Sequence, residues 1–123
     1  MENLFIQGSD STPTIDFKLD GILKIEGKAI PENAAKLFEP VFEWIKKSNI
    51  EKLIFDVNLY YFNTSVSKQL FEMFTKAKNN VNVKHILVKW RYEIGDDDSF
   101  ESGMIYKDEI PGIEFEFYEY AEL

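Results

Sequence analysis

A single α/β domain built on one mixed β-sheet is the fold class this sequence predicts, on three observations. Two alternating apolar/polar segments flank Asp20-Gly21 near the start, and helix-periodic and strand-like stretches alternate after them. The chain has 123 residues, enough for one core and too few for two ordinary domains, so residues 1–123 are read as one unit with 1–10 as a flexible N-terminal segment. Eleven Phe, six Tyr and two Trp supply far more core material than an acidic disordered tail carries.

The elements follow in order. Ile15-Asp-Phe-Lys-Leu19 and Ile22 to Gly27 read as strands, with Asp20-Gly21 as a two-residue hairpin turn between them. From Ala34 the apolar residues Leu37, Phe38, Val41, Phe42 and Ile45 recur at helical spacing; Asn33 is placed to cap this helix, which closes near Ser48-Asn49. Pro40 lies inside the pattern without an N–H for Lys36, which predicts a kink or a short first segment. Lys52 to Phe62 is β-branched, aromatic and almost continuously apolar, the pattern of a central strand covered on both faces. Val66, Leu70, Met73, Phe74 and Ala77 mark a second helix, ending at Asn79-Asn80, and His85 to Tyr92 another strand. Gly95 to Ser99 reads as an acidic loop, Phe100 to Glu109 as a short helix and Ile113 to Tyr120 as a last strand. Helices between strands are crossover connections, so these strands run parallel, and the hairpin is the antiparallel part of the sheet.

Charge and residue usage exclude several classes of function. With 22 Asp and Glu against 14 Lys and Arg, the net charge of −8 repels a phosphate backbone and an anionic membrane and favours a basic or apolar protein partner. The absence of cysteine removes disulfides and thiolate chemistry, and a single histidine, His85, removes paired-His metal sites. The start of the chain lacks a basic, apolar signal sequence, and no stretch nears the roughly 18–20 apolar residues of a membrane span, so the cytoplasm is the expected location.

Searches for chemistry return little. There is no Gly-rich phosphate loop and no Gly-x-Ser-x-Gly elbow. Asp96, Asp97 and Asp98, with Glu101, carry oxygen ligands suited to calcium or magnesium, yet lack the spacing of a calcium loop and read first as a solvated turn. His85 has no carboxylate near it in sequence to orient it as an acid or base, and Trp90, Tyr92 and Tyr60-Tyr61-Phe62 read as core or one covered face of the sheet rather than a cofactor wall. No metal or cofactor is expected. Asn63-Thr64-Ser65 stands out: small polar residues at a strand end and a helix start are explained by capping, but a hydroxyl there also lies on the ligand-facing edge of an α/β sheet. A phosphate at that point adds about −1.5 to −2 charge.

Lys52-Leu-Ile-Phe-Asp-Val-Asn-Leu-Tyr-Tyr-Phe-Asn-Thr-Ser-Val66, an apolar strand with an internal Asp and a hydroxyl pair at the helix start, resembles the phosphorylation segment of STAS domains, the anti-sigma factor antagonists. Ser11 to Phe17, Gly21 to Gly27, Ile30-Pro-Glu-Asn-Ala34, Phe38-Glu-Pro-Val-Phe-Glu-Trp44, Tyr61 to Ser65, Lys89-Trp-Arg-Tyr92 and Glu101-Ser-Gly103 follow in the order found in the SiaC family of regulatory phosphoproteins, which the whole chain resembles.

The resemblance implies a STAS-like domain without catalysis of its own, phosphorylated reversibly on Thr64 by a Ser/Thr kinase and reset by a PP2C-type phosphatase. It further implies an effector protein, in the best-known system a diguanylate cyclase activated by the unphosphorylated form, in cyclic di-GMP and biofilm signalling. Tyr61, Phe62, Asn63 and Ser65 are then the expected partner-binding residues. Family members commonly carry Ser-Ser after the Thr, whereas this chain has Ser65-Val66, which removes support for modification at the second position. Two rivals accompany this reading: a small metal-binding protein or enzyme using Asp96 to Asp98 and Glu101, and a constitutive scaffold in which Thr64 is a helix cap.

Overall fold

The structure, a computed structural model, describes residues 1–121. Its elements run β1 (Leu4–Ile6), β2 (Thr14–Phe17), β3 (Ile22–Ala29), α1 (Ala34–Lys47), β4 (Lys52–Phe62), α2 (Thr64–Asn79), β5 (His85–Glu93), α3 (Asp97–Glu109) and β6 (Glu114–Tyr120). The six strands lie in one sheet in chain order. β1, β2 and β3 pair antiparallel, and β3, β4, β5 and β6 pair parallel through the three helices. This is the mixed α/β sheet expected, with the hairpin at one side and β4 inside the parallel part.

Strand register decides which side chains make the core. Phe17, Leu23, Phe55, Val88 and Phe115 stand abreast across five strands, and Ile15, Ile25, Val57, Trp90 and Phe117 form the next row on the same face. Each helix sets an aromatic ring edge-on against it: Trp44 of α1 on Phe17 at 5.4 Å, Phe74 of α2 on Phe55 at 5.3 Å, and Tyr106 of α3 on Trp90 at 5.6 Å between centroids. All three helices therefore cover one face of the sheet. Aromatic pairs in this geometry add about 0.5–1.5 kcal/mol each beyond their buried area.

The expectation that β4 is covered on both faces is corrected by this arrangement. Leu53, Phe55, Val57 and Leu59 are buried, whereas Ile54, Asp56 and Asn58 are half-exposed on the other side. Across that open face the register aligns Asp16, Lys24, Asp56, Lys89 and Glu116, alternating in sign from strand to strand. Opposite charges on neighbouring strands stabilise such a surface and keep it compatible with water. Asp56 accepts two bonds from Arg91, at 2.7 and 3.2 Å, and the guanidinium lies over Tyr118.

Four smaller expectations also change. Residues 1–10 are not a free segment throughout: Leu4–Ile6 pairs with β2, Trp44 Nε1 donates to the Glu2 carbonyl at 2.8 Å, and the Asn3 side chain accepts from the Leu19 N–H. The hairpin connection spans Lys18 to Gly21 rather than two residues, because Gly21 N–H returns to Lys18 O and Lys18 N–H bonds Ile22 O. Gly21 takes φ +93°, a conformation that favours glycine. α1 runs through Pro40 as one 14-residue helix; Pro40 is exposed, so the carbonyl it leaves unbonded faces water. The acidic stretch is not a loop but the start of α3, where Asp96 caps Ser99 N–H and Asp97 and Asp98 occupy the first turn, favoured there by the helix dipole.

α3 lies close to the sheet because residue 103 is glycine. A methyl group at Gly103 would stand 2.7 Å from the Phe117 ring and 2.9 Å from Trp90. Gly103→Ala is therefore expected to destabilise the fold by about 1–3 kcal/mol through overpacking, despite the better helix propensity of alanine, as a lowered midpoint in denaturant unfolding.

Candidate functional site

The junction of β4 and α2 is shaped by an irregularity one strand away. Pairing with β3 shifts between Gly27 and Lys28, so that Gly27 faces Leu59 but Lys28 faces Tyr61. Such a bulge inserts an extra residue, here Tyr60, and re-aims the side chains after it. Tyr60 stays exposed on the open face and its hydroxyl reaches Glu26 at 3.3 Å. Tyr61 stands 62% exposed. Phe62 turns inward and sets its ring edge-on to Trp90 at 6.1 Å, so of the expected partner residues it is the one seated against the core.

Asn63 closes the strand and opens the helix. Its N–H bonds Ala29 O at 3.3 Å, its side-chain oxygen accepts from Val66 N–H at 3.0 Å and from the Ser65 hydroxyl at 2.9 Å, and its carbonyl accepts from Ser67 N–H at 3.0 Å. Capping is thus the work of Asn63, with Ser65 bonded to the cap. Thr64 is the first residue of α2, is exposed, and its hydroxyl makes no hydrogen bond among the described residues. The capping role that the scaffold reading gave Thr64 therefore belongs to Asn63.

The head of α2 is also held from the side. Tyr106 of α3 is buried, its hydroxyl 2.8 Å from Ser67 Oγ and donating to Ser67 O at 2.9 Å. Burial pushes the Tyr106 phenol above its ordinary range, with the Ser67 bond opposing that shift. This contact joins residues 39 apart in the chain and has no signature in local sequence, so sequence reasoning missed it. The N–H groups of Thr64 and Ser65, at the first helical positions, have no acceptor among the described residues, and exposed Lys68 lies one turn along the same face. An anion on Thr64 would meet those N–H groups, the positive end of the helix and Lys68.

The other sequence candidates do not assemble into a site. Asp96 is occupied as a cap, Asp97, Asp98 and Glu101 are exposed on α3, and among the described residues no three His, Cys, Asp or Glu side chains converge where a metal ion could sit. The metal-binding reading has no geometric support. His85 is exposed at the start of β5, and its side chain has no hydrogen bond or ion pair among the described residues. Trp90 is core at 1% exposure, as its strand spacing implied, with Nε1 donating to Ser99 O. Tyr60 and Tyr61 depart from the covered position expected of them, Tyr60 because its face of the sheet is bare and Tyr61 because the bulge turns it outward. Among the described residues no helix is long and apolar enough to cross a membrane.

Comparison with known proteins adds an independent line. Residues 6–120 match the model of the SiaC family regulatory phosphoproteins. An uncharacterized protein of Pseudomonas aeruginosa (strain UCBPP-PA14) is 29% identical over 99 residues, covering 76% of this chain and 78% of that relative. The fold is similar to that of SiaC of Pseudomonas aeruginosa, with a TM-score of 0.76 at 25% identity over 99% of this chain and 100% of that one, and to apo-SiaC, with a TM-score of 0.74 at 25% identity over 96% and 99%. It is also similar, at a TM-score of 0.81 and 24% identity over 95% and 99%, to a chain of the crystal structure of the diguanylate cyclase SiaD in complex with its activator SiaC.

The roles at the junction separate by mutation. Asn63→Ala should cost about 0.5–2 kcal/mol as a lost cap, while Thr64→Ala should stay within about 0.5 kcal/mol of wild type, both read by urea unfolding. Because folding raises the Tyr106 pKa, the native state needs the neutral phenol; stability holds below the ordinary tyrosine value of about 10 and falls as pH rises beyond it. Tyr106→Phe should lower stability at neutral pH by about 1 kcal/mol and make the alkaline decline shallower, measured as Tm against pH.

Proposed function

The chain belongs to the SiaC family of regulatory phosphoproteins, and on that premise we propose that it is a switch without catalysis of its own, set by reversible phosphorylation of Thr64. The observation that carries this reading is the exposed Thr64 hydroxyl, free of hydrogen bonds among the described residues, next to an asparagine that already caps the helix. A hydroxyl with a structural duty could not be modified without loosening α2. This one can be.

The effector is a diguanylate cyclase, by analogy with the similar SiaC–SiaD complex, which makes cyclic di-GMP output the quantity controlled. A Ser/Thr kinase and a PP2C-type phosphatase set the state of Thr64, in the cytoplasm. Tyr61, Asn63 and Ser65 present the contact surface around it, and Phe62 holds that surface from beneath through Trp90. Neutral Thr64 lets the effector pack against the helix head. The phosphate is tolerated by this chain, because free N–H groups and Lys68 meet it, but an effector packed there would have to strip it of water or meet it with unmatched charge.

A hundredfold change in affinity requires only about 2.7 kcal/mol, well within the cost of burying an unpaired phosphate. Thr64→Asp and the phosphorylated protein are expected to bind the cyclase of the same host at least about a hundredfold more weakly than wild type, by titration calorimetry, with Thr64→Ala retaining affinity. Equal binding by all forms, or a phosphoproteome of the host without modified Thr64, would sink the proposal.

A further inference from the structure

The surface around Thr64 does not stop at α2. Three adjacent parallel strands end at the same edge of the sheet, and each leaves a large apolar side chain in solvent there: Ile30 after β3 at 37% exposure, Tyr61 in β4 at 62%, and Ile94 after β5 at 60%. An isolated exposed isoleucine needs no explanation, but neighbouring strand ends that all present one, flanking an exposed helix head, form a surface. Ile94 is held in place, since its N–H bonds Tyr120 O at 2.7 Å. The chain then turns at Gly95, φ +87°, straight into the acidic head of α3.

The two helix heads at this edge are linked through the core rather than packed on each other. Trp90 sets its ring against Phe62, just before α2, while donating to Ser99 in the first turn of α3, and Tyr106, in the last turn of α3, bonds Ser67 in the first turn of α2. A partner seated on Thr64 and Tyr61 thus meets Ile94 and the carboxylates of Asp97 and Asp98 in a fixed relation. We infer that the effector-binding surface continues across the β5–α3 connection, with Ile94 as an apolar anchor, and that the partner offers an apolar pocket bordered by Arg or Lys. Charge complementarity selects that occupant: the carboxylates beside Ile94 and the net charge of −8 repel an acidic protein and steer a basic one. This inference rests on the proposed Thr64 switch and extends its interface to a second element.

The test uses full-length protein and, as probe, the full-length diguanylate cyclase of the same host, in titrations at two salt concentrations. Ile94→Ser is expected to weaken binding by about tenfold or more, as truncation of an interface anchor does. Asp97→Asn with Asp98→Asn should weaken it and flatten its dependence on salt. Val81→Ser, at an exposed apolar residue between α2 and β5 at the opposite end of the sheet, should bind as wild type, and unfolding curves establish that each variant is folded. If Thr64→Asp abolishes binding while both the Ile94 and the Asp variants bind like wild type with unchanged salt dependence, the extended surface is refuted and the switch stands. If wild type does not bind the cyclase at all, the switch reading falls and this inference with it.

Discussion

Coverage of the sheet on one face only is the constraint from which the rest of this structure follows. Parallel neighbours in chain order, joined by crossovers that all share one hand, place every connecting helix on the same side. The consequence is a two-layer molecule in which α1, α2 and α3 share a single aromatic core with five strands, and in which every helix begins at the carboxyl edge of the sheet. The heads of α2 and α3 lie at the same edge of the sheet for that reason, and so do the strand ends that carry Ile30, Tyr61 and Ile94.

A sheet with one bare face has to be made compatible with water, and most parallel sheets avoid the problem by covering both. Here the alternating row from Asp16 to Glu116, the Asp56–Arg91 pair and the tyrosines above it do so with charges spaced one strand apart. The pair is partly exposed and adds modestly to stability; its larger effect is to keep two charges matched in a sheet that would otherwise show an apolar surface for aggregation. Sequence reading mistook β4 for a doubly buried strand because Ile54, Tyr60 and Tyr61 interrupt its polar alternation. What left Ile54 half-exposed and Tyr60 exposed was the absence of a second helical layer, and a strand's own composition carries no information on that.

At the β4–α2 junction, adjacent residues have separate duties. Asn63 supplies the capping bonds of the helix start, to the N–H groups of Val66 and Ser67, and this leaves the Thr64 hydroxyl without a structural duty. The motif was visible in sequence, where the three polar residues between apolar segments marked both the helix start and the candidate phosphoacceptor. Which of the three caps was not visible, since Asn, Thr and Ser all favour that position and only the backbone conformation at residue 63 decides among them. The bulge that turns Tyr61 outward and Phe62 inward was equally hidden, because it depends on where β3 pairs.

Local pattern by itself determined the parallel strands, the hairpin, α1, α2 and the single domain, since periodicity, caps and turn residues are written within a few positions of one another. Motif order across the chain identified the family resemblance, and with it Thr64. Tertiary structure alone decided the bare face, the docking of Leu4–Ile6 beside β2, and the bonds from Tyr106 to Ser67. Each of these depends on which distant segment lies alongside, and pairing between distant segments is set by how the whole core packs rather than by the residues on either side of a position.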